Sequence, residues 1–222
     1  MKYLYYNIKE TIAVLVMILS VIVFSSCSST YKNLVPVSAN GDDCVLKFKP
    51  HFTRSLYNTQ VNILRSHLSG LLFIKQMPDS STRLLFSTET GFKFFDFAFD
   101  KNGLFTVHYI LDKMNRKPVI KTLENDFSLL LMNRIADTAA ATFTKEGDLY
   151  HRFTVGDEHD FYVTDSMCTR LIKAGKASGK KAVSRIVYSG SIQSLPDSVF
   201  ISHYGIKFNI ALKRLEAVES GK

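Results

Sequence analysis

Three thiols, six imidazoles and a few short polar clusters are the groups in this chain best suited to nucleophilic, metal-ligating or phosphate-binding chemistry. The histidines stand at 51, 67, 108, 151, 159 and 203, never at the His-x-x-x-His spacing that sets two imidazoles on one helix face. No metal site or cofactor is therefore expected. Asp157-Glu158-His159-Asp160 is the densest polar cluster, and its place between two apolar runs makes it a solvated turn. Gly175-Lys176-Ala177-Ser178-Gly179-Lys180 fails the spacing of a phosphate loop and reads as a basic loop. Ser69-Gly70 and Ser189-Gly190 lack the flanking glycine of a nucleophile elbow. Nothing converges on acid–base or nucleophilic catalysis, so a non-enzymatic role is expected.

Cys27 has a context the other cysteines lack. Lys2 and Lys9 precede an almost unbroken apolar run, Ile12 to Phe24, and Ser25-Ser26-Cys27 follows. A charged start, an apolar stretch of this length and small residues at its end describe an export signal. The run falls short of the roughly 20 apolar residues a membrane crossing needs. A cysteine directly after two small residues resembles the lipobox of bacterial lipoproteins. That resemblance implies cleavage after Ser26 and lipidation of the Cys27 thiol.

Removing residues 1–26 takes away Lys2, Lys9 and Glu10 and leaves 196 residues with 26 basic and 19 acidic side chains, net +7. One domain is expected, spanning 44–218. An excess of positive charge on an exported, anchored protein suits anionic headgroups or acidic envelope partners better than nucleic acid. Residues 27–43 are polar, contain Pro36 and Gly41, and read as a flexible tether. No acidic cluster follows Cys27, which favours the periplasmic face of the outer membrane. Cys44 and Cys168 form an even pair in an oxidising compartment, either bridged or two buried thiols.

These groups need elements to position them, and the pattern from Val45 onward is mostly β. Val45–Lys49 is a short strand candidate, and residues 57–63 alternate with period two. Segments 68–76, 83–90, 92–100 and 104–111 follow, joined by short polar turns, with Asn102-Gly103 suited to a tight hairpin. Pro118 opens a helix in which Val119, Leu123, Phe127, Leu130 and Ile135 form an apolar stripe over about 16–18 residues. A hairpin over Gly156-Asp157, a short helix over 166–175, a loop at 175–181, and strands at 185–192 and 198–218 complete the chain. About nine or ten strands and one long helix predict a mainly β fold: an open or half-closed antiparallel barrel wrapped around the helix.

The lipobox, the strand sequences S-G-L-L-F-I-K (69–75) and G-F-K-F-F-D-F (91–97), the helix segment D-F-S-L-L-L (126–131) and an amphipathic final strand together resemble small outer-membrane lipoproteins. Their architecture is similar to the half-barrel of the Lol lipoprotein carrier and receptor. That resemblance implies an apolar cavity for acyl chains between a curved sheet and a helix. The turns 78–81 and 101–103 are polar, unlike the projecting apolar loop of the Lol receptor.

Two features sharpen the expectation. In the final strand Lys207 and Lys213 must face water, which turns Ile206, Phe208 and Ile210 inward. By the same phase, Lys75 and Lys93 assign Leu72, Ile74, Phe92 and Phe94 to the interior and carry Asp96 in with them. Leu72, Ile74, Phe92, Phe94, Phe208 and Ile210 are thus the expected acyl-chain contacts. Arg170, Lys173, Lys176, Lys180 and Lys181 form a basic run expected to meet headgroup phosphates or an acidic partner. The sequence therefore predicts a lipid-anchored binding module for lipid or lipoprotein trafficking. Its alternative is a filled barrel that docks in an envelope assembly complex.

Overall fold

The computed structural model describes residues 30–38, 41–63, 65–136, 139–190 and 195–215. Cys27 and the apolar run before it lie outside these. The whole described core belongs to one compact unit that begins at Asn33.

That core is built on one antiparallel sheet. Its strands are β1 (Val35–Pro36), β2 (Arg54–Ile63), β3 (Ser66–Gln76), β4 (Thr82–Ser87), β5 (Lys93–Phe99), β6 (Phe105–Ile110), β7 (Ala141–Lys145), β8 (Asp148–Val155), β9 (Glu158–Thr164), β10 (Leu171–Ser178), β11 (Lys181–Ser189), β12 (Ser198–His203) and β13 (Phe208–Leu215). They pair in the order β1-β7-β8-β9-β10-β11-β12-β13-β2-β3-β4-β5-β6, so β1 and β6 are free edges and the barrel is open. Among the described residues two α-helices accompany the sheet, α1 (Gly41–Leu46) and α2 (Lys117–Leu130).

The sheet must curl around α2. Tyr162 on β9 donates a hydrogen bond to the Leu129 carbonyl, and Phe95 on β5 packs its ring 5.7 Å from that of Phe127. β9 and β5 are eight positions apart in the pairing order. At about 4.8 Å per strand a flat sheet would hold them roughly 38 Å apart. Touching residues two apart on one helix is possible only if the sheet wraps it. This is the half-open barrel that the pattern predicts.

Strand alternation does most of the positioning. On β2, Ser55, Tyr57, Thr59 and Val61 are buried while Asn58, Gln60 and Asn62 face out. The Asp100–Gly103 turn forms as its residues require: Asp100 Oδ1 accepts from the Asn102 and Leu104 amides, each at 2.8 Å, and Gly103 takes φ 79°.

Several expectations need correction. Val45–Lys49 is not a strand. Asp42 and Asp43 occupy the first turn of α1, and Asp42 Oδ1 accepts the Ala140 amide at 2.7 Å. Val35–Pro36, placed in the tether by the sequence, pairs with Thr144 and Phe143 on β7. Residues 166–175 contain no helix: Asp165 collects the Thr169 and Arg170 amides at 2.7 and 3.1 Å in a turn, and β10 starts at Leu171. The 175–181 segment is not a loop but the tip of the β10–β11 hairpin. α2 runs for 14 residues; Met132, at φ 54°, ends the helical path and Ile135 falls in a following 3-10 turn.

Cys44 and Cys168 are joined by a disulfide across 124 residues, with Cα atoms 5.8 Å apart. It ties α1 to the β9–β10 turn. Reduction is expected to destabilise the unit by about 2–4 kcal/mol, read as a drop in denaturant midpoint in the presence of reductant.

Candidate functional site

The candidate site is the interior between α2 and the inner face of the sheet. Leu123, Phe127 and Leu130 supply the helix side. Leu72, Ile74, Leu84, Phe86, Phe97, Ile186, Ile201, Phe208 and Ile210 supply the sheet side, every one nearly inaccessible to water. Of the expected acyl-chain contacts, the structure brings Leu72, Ile74, Phe94, Phe208 and Ile210 into this one core.

Phe92 is the exception, at 53 % exposure. The register shifts between Phe86 and Ser87, which pair with Phe95 and Lys93, so Phe94 is the extra residue of a bulge. Counting alternation from Lys93 therefore fails. The bulge turns Phe94 in beside Phe95, their rings 4.7 and 5.5 Å from Phe86, while Phe92 lies before β5 begins and stays outside. It also places Asp96 on the outer face, held by both Arg83 nitrogens at 2.7 and 2.8 Å, rather than in the core. Ile206 is likewise 51 % exposed, because residues 204–206 form a turn and the last strand begins only at Phe208.

The interior is tightly packed at one end and looser at the other, where Phe99, Glu124, Ser128 and Arg134 border about 140 Å³. At its rim, among Phe48, Pro50, Leu130, Met132, Leu171, Tyr188 and Pro196, the free space is about 10 Å³. Any guest must displace side chains or move α2.

Polar ties add to this packing in fastening α2. Asp126, fully buried on the helix, accepts from His203 Nε2 at 2.9 Å, and the other ring nitrogen of His203 lies 3.0 Å from the Phe208 carbonyl. Just past the helix, Arg134 pairs with Glu158 at 2.7 Å. Lys176, 1 % exposed, bridges Glu158 and Asp160 at 3.1 and 2.8 Å. Thus Asp157–Asp160 is not simply a solvated turn: β9 begins at Glu158, and alternation aims Glu158 and Asp160 inward at Lys176. Lys176, assigned from the basic run to headgroups, is buried for the same reason. Arg170, Lys180 and Lys181 remain exposed, and Lys173 is half-buried. The signal that could have revealed the cluster is the phase match of Asp160 with Tyr162 and of Lys176 with Ala174, both core residues.

On the far side, His151 lies within 3.1 Å of Thr164 Oγ1, 3.3 Å of Thr142 Oγ1 and 3.4 Å of Cys44 Sγ. Burial pushes its pKa down to about 4, against a small opposing pull from Asp42. Burial also works against the His203 imidazolium, but the Asp126 hydrogen bond and charge outweigh it and raise that pKa. Burial raises the Asp126 pKa as well. The two histidines act with opposite sign. His151, depressed, gives stability that is lost as pH falls from about 6.5 toward 4. His203, raised, gives stability that is complete below about 6.5 and lost as pH rises through its folded value. Denaturant midpoints are expected to peak near neutrality, and His203→Gln should flatten the alkaline limb while sparing the acid one.

An apolar side chain does project from a loop, although the polar turns at 78–81 and 101–103 predict none: Met167, in the β9–β10 turn, is 79 % exposed. Among the described residues no three His, Cys, Asp or Glu side chains are grouped to hold a metal.

No protein-family profile matches the chain, and no curated protein matches it. Among solved structures, a LolA superfamily protein from Nitrosomonas europaea overlays with TM-score 0.51 at 7 % identity, covering 81 % of this chain and 93 % of that one. A DUF1329 family protein from Desulfovibrio piger gives 0.42 at 9 % identity, covering 82 % and 92 %. A Vibrio parahaemolyticus domain assigned to outer membrane lipoprotein sorting gives 0.43 at 8 %, covering 78 % and 88 %. The first overlay shows that the fold is LolA-like.

Proposed function

We propose that this LolA-like chain is a non-enzymatic envelope protein, anchored through lipid on Cys27 at the periplasmic side of the outer membrane. There it takes up an acyl chain between α2 and the sheet, in lipid or lipoprotein trafficking. The observation that carries this reading is a continuous apolar interior under a single helix fastened by few polar ties. Such a helix can lift without exposing broken backbone ladders, because its hydrogen bonds are its own. Each methylene transferred from water contributes about 0.8 kcal/mol, so a chain of ten or more can offset the displaced contacts. A fluorescent fatty acid should bind saturably to the wild-type protein. Phe94→Glu and Ile210→Glu, checked for retained fold by circular dichroism, should abolish uptake. Absence of saturable binding to the wild-type protein would contradict the proposal.

The anchor has its own test. Intact mass of the membrane-extracted protein should correspond to a chain starting at Cys27 with diacylglyceryl and N-acyl mass, since one chain alone binds membranes only marginally. An unmodified mass, or Cys27→Ala protein that still fractionates with membranes, would contradict it.

The tight packing among Phe48, Leu130, Met132 and Leu171 favours a second reading, a docking scaffold in an envelope assembly complex, with exposed side chains such as Met167 as contacts. Co-purification of a stoichiometric protein partner without bound lipid would support it.

A further inference from the structure

The sheet sorts its charges. On its inner face the carboxylates of Glu158 and Asp160 surround Lys176. The outer face is different. Cross-strand partners share a face, so the pairing registers place Arg54, Lys75, Lys93, Lys173, Arg185 and Lys213 outward on the eight strands from β10 through β13 and β2 to β5. Among the described residues of those strands, the outward carboxylate is Asp96, already held by Arg83. Three of the cations lie over aromatic rings: Arg54 over Phe73 at 5.8 Å, Lys93 over Tyr109 at 6.0 Å and Lys173 over Tyr150 at 5.5 Å.

Apolar tips stand between the charges. Phe200, Val187 and Leu215 are 43, 38 and 37 % exposed and border an open groove of about 580 Å³ that Lys213 and Asn58 also line. Cations interleaved with single apolar side chains on the outer side of a sheet that curls around α2 leave no carboxylate on these strands to fix the register of a folded partner.

We propose that the middle of this outer face, from β11 to β3, lies on an anionic phospholipid surface, with Arg54, Lys75, Arg185 and Lys213 on the phosphates and Phe200, Val187 and Leu215 in the interfacial layer. Chain length supports that occupant over an acidic protein. Seven residues separate Cys27 from Val35, a reach of at most about 28 Å. A chain anchored at Cys27 is therefore held close to the bilayer, within a few Debye lengths. The tether argument rests on the lipid anchor proposed above, but the binding itself does not.

The test uses the chain from Ser28, which retains the entire described core, and phosphatidylcholine vesicles with and without phosphatidylglycerol. Wild type should sediment only with the anionic vesicles, and added salt should release it. Each basic residue near an anionic surface is worth about fivefold, so Lys75→Glu with Arg185→Glu and Lys213→Glu should cost about 100-fold or more. Lys101→Glu with Lys113→Glu and Lys117→Glu makes the same change in net charge at exposed positions outside this face, and should keep most of the binding. Equal losses in the two triple variants, or no preference of wild type for anionic vesicles, would overturn the proposal. Salt-sensitive capture of polyglutamate without vesicle binding would overturn it in favour of an acidic protein partner. Acyl-chain uptake measured on the same variants should be unchanged, so the two proposals can fail separately.

Discussion

Replacing Lys176 by Met is expected to destabilise the protein by about 3–5 kcal/mol, although methionine fills nearly the same volume. The ammonium is 1 % exposed and lies 2.8 Å from Asp160, whose carboxylate is itself 2 % exposed. Removing the cation leaves that carboxylate buried and uncompensated, next to a second one on Glu158. Glu158 would keep Arg134 at 2.7 Å. Burial works to raise the Glu158 pKa, but Arg134 and Lys176 together hold it down to about 2. The defect should therefore be local to Asp160, and adding Asp160→Leu to Lys176→Met should restore most of the loss. Urea titration of the two variants checks this. A single variant within about 1 kcal/mol of wild type would mean the pair is not buried as described.

Phe127→Ala should cost about 3–5 kcal/mol. The ring is 1 % exposed, lies 5.7 Å from Phe95, and Phe95 in turn stacks on Phe97 at 4.3 Å. These rings and the helix stripe fill the middle of the half-barrel, so truncation leaves a void that a packed interior closes only in part. Val119→Ala, on the partly buried first turn of α2, should cost far less. Denaturant unfolding of both variants separates a filled core from a loosely seated helix: similar small losses would mean α2 is not packed at Phe127.

Much of this architecture is legible in the chain because its strands obey simple rules. Tyr57 to Ile63 alternates cleanly, Asn102-Gly103 turns where a tight hairpin must, and Pro118 marks the first turn of α2. The thirteen strands exceed the nine or ten expected for physical reasons. β1 is two residues long, β7 is a short segment rich in Ala and Thr, and 198–218 reads as continuous until Tyr204–Ile206 breaks it. The candidate site is half legible. Leu72, Ile74 and Ile210 follow from phase, whereas Asp96 does not, because a single bulge residue reverses every later assignment on β5, and Phe92 does not, because it precedes the first residue of that strand. Lys176 misleads for another reason. A lysine between Gly175 and Gly179 in a basic run looks solvated, and only the pairing of β9 with β10 reveals that Asp160 sits opposite it.

The central claim, that an acyl chain enters beneath α2, has a direct test because the chain contains no tryptophan. Phe127→Trp places a lone fluorophore on the inner face of α2, and Phe200→Trp places one on the outer face of the sheet. A brominated fatty acid, which quenches indole only at contact, should quench the Phe127→Trp protein saturably and leave the Phe200→Trp protein nearly unchanged. Quenching of Phe200→Trp alone, or of neither, would contradict uptake into the interior.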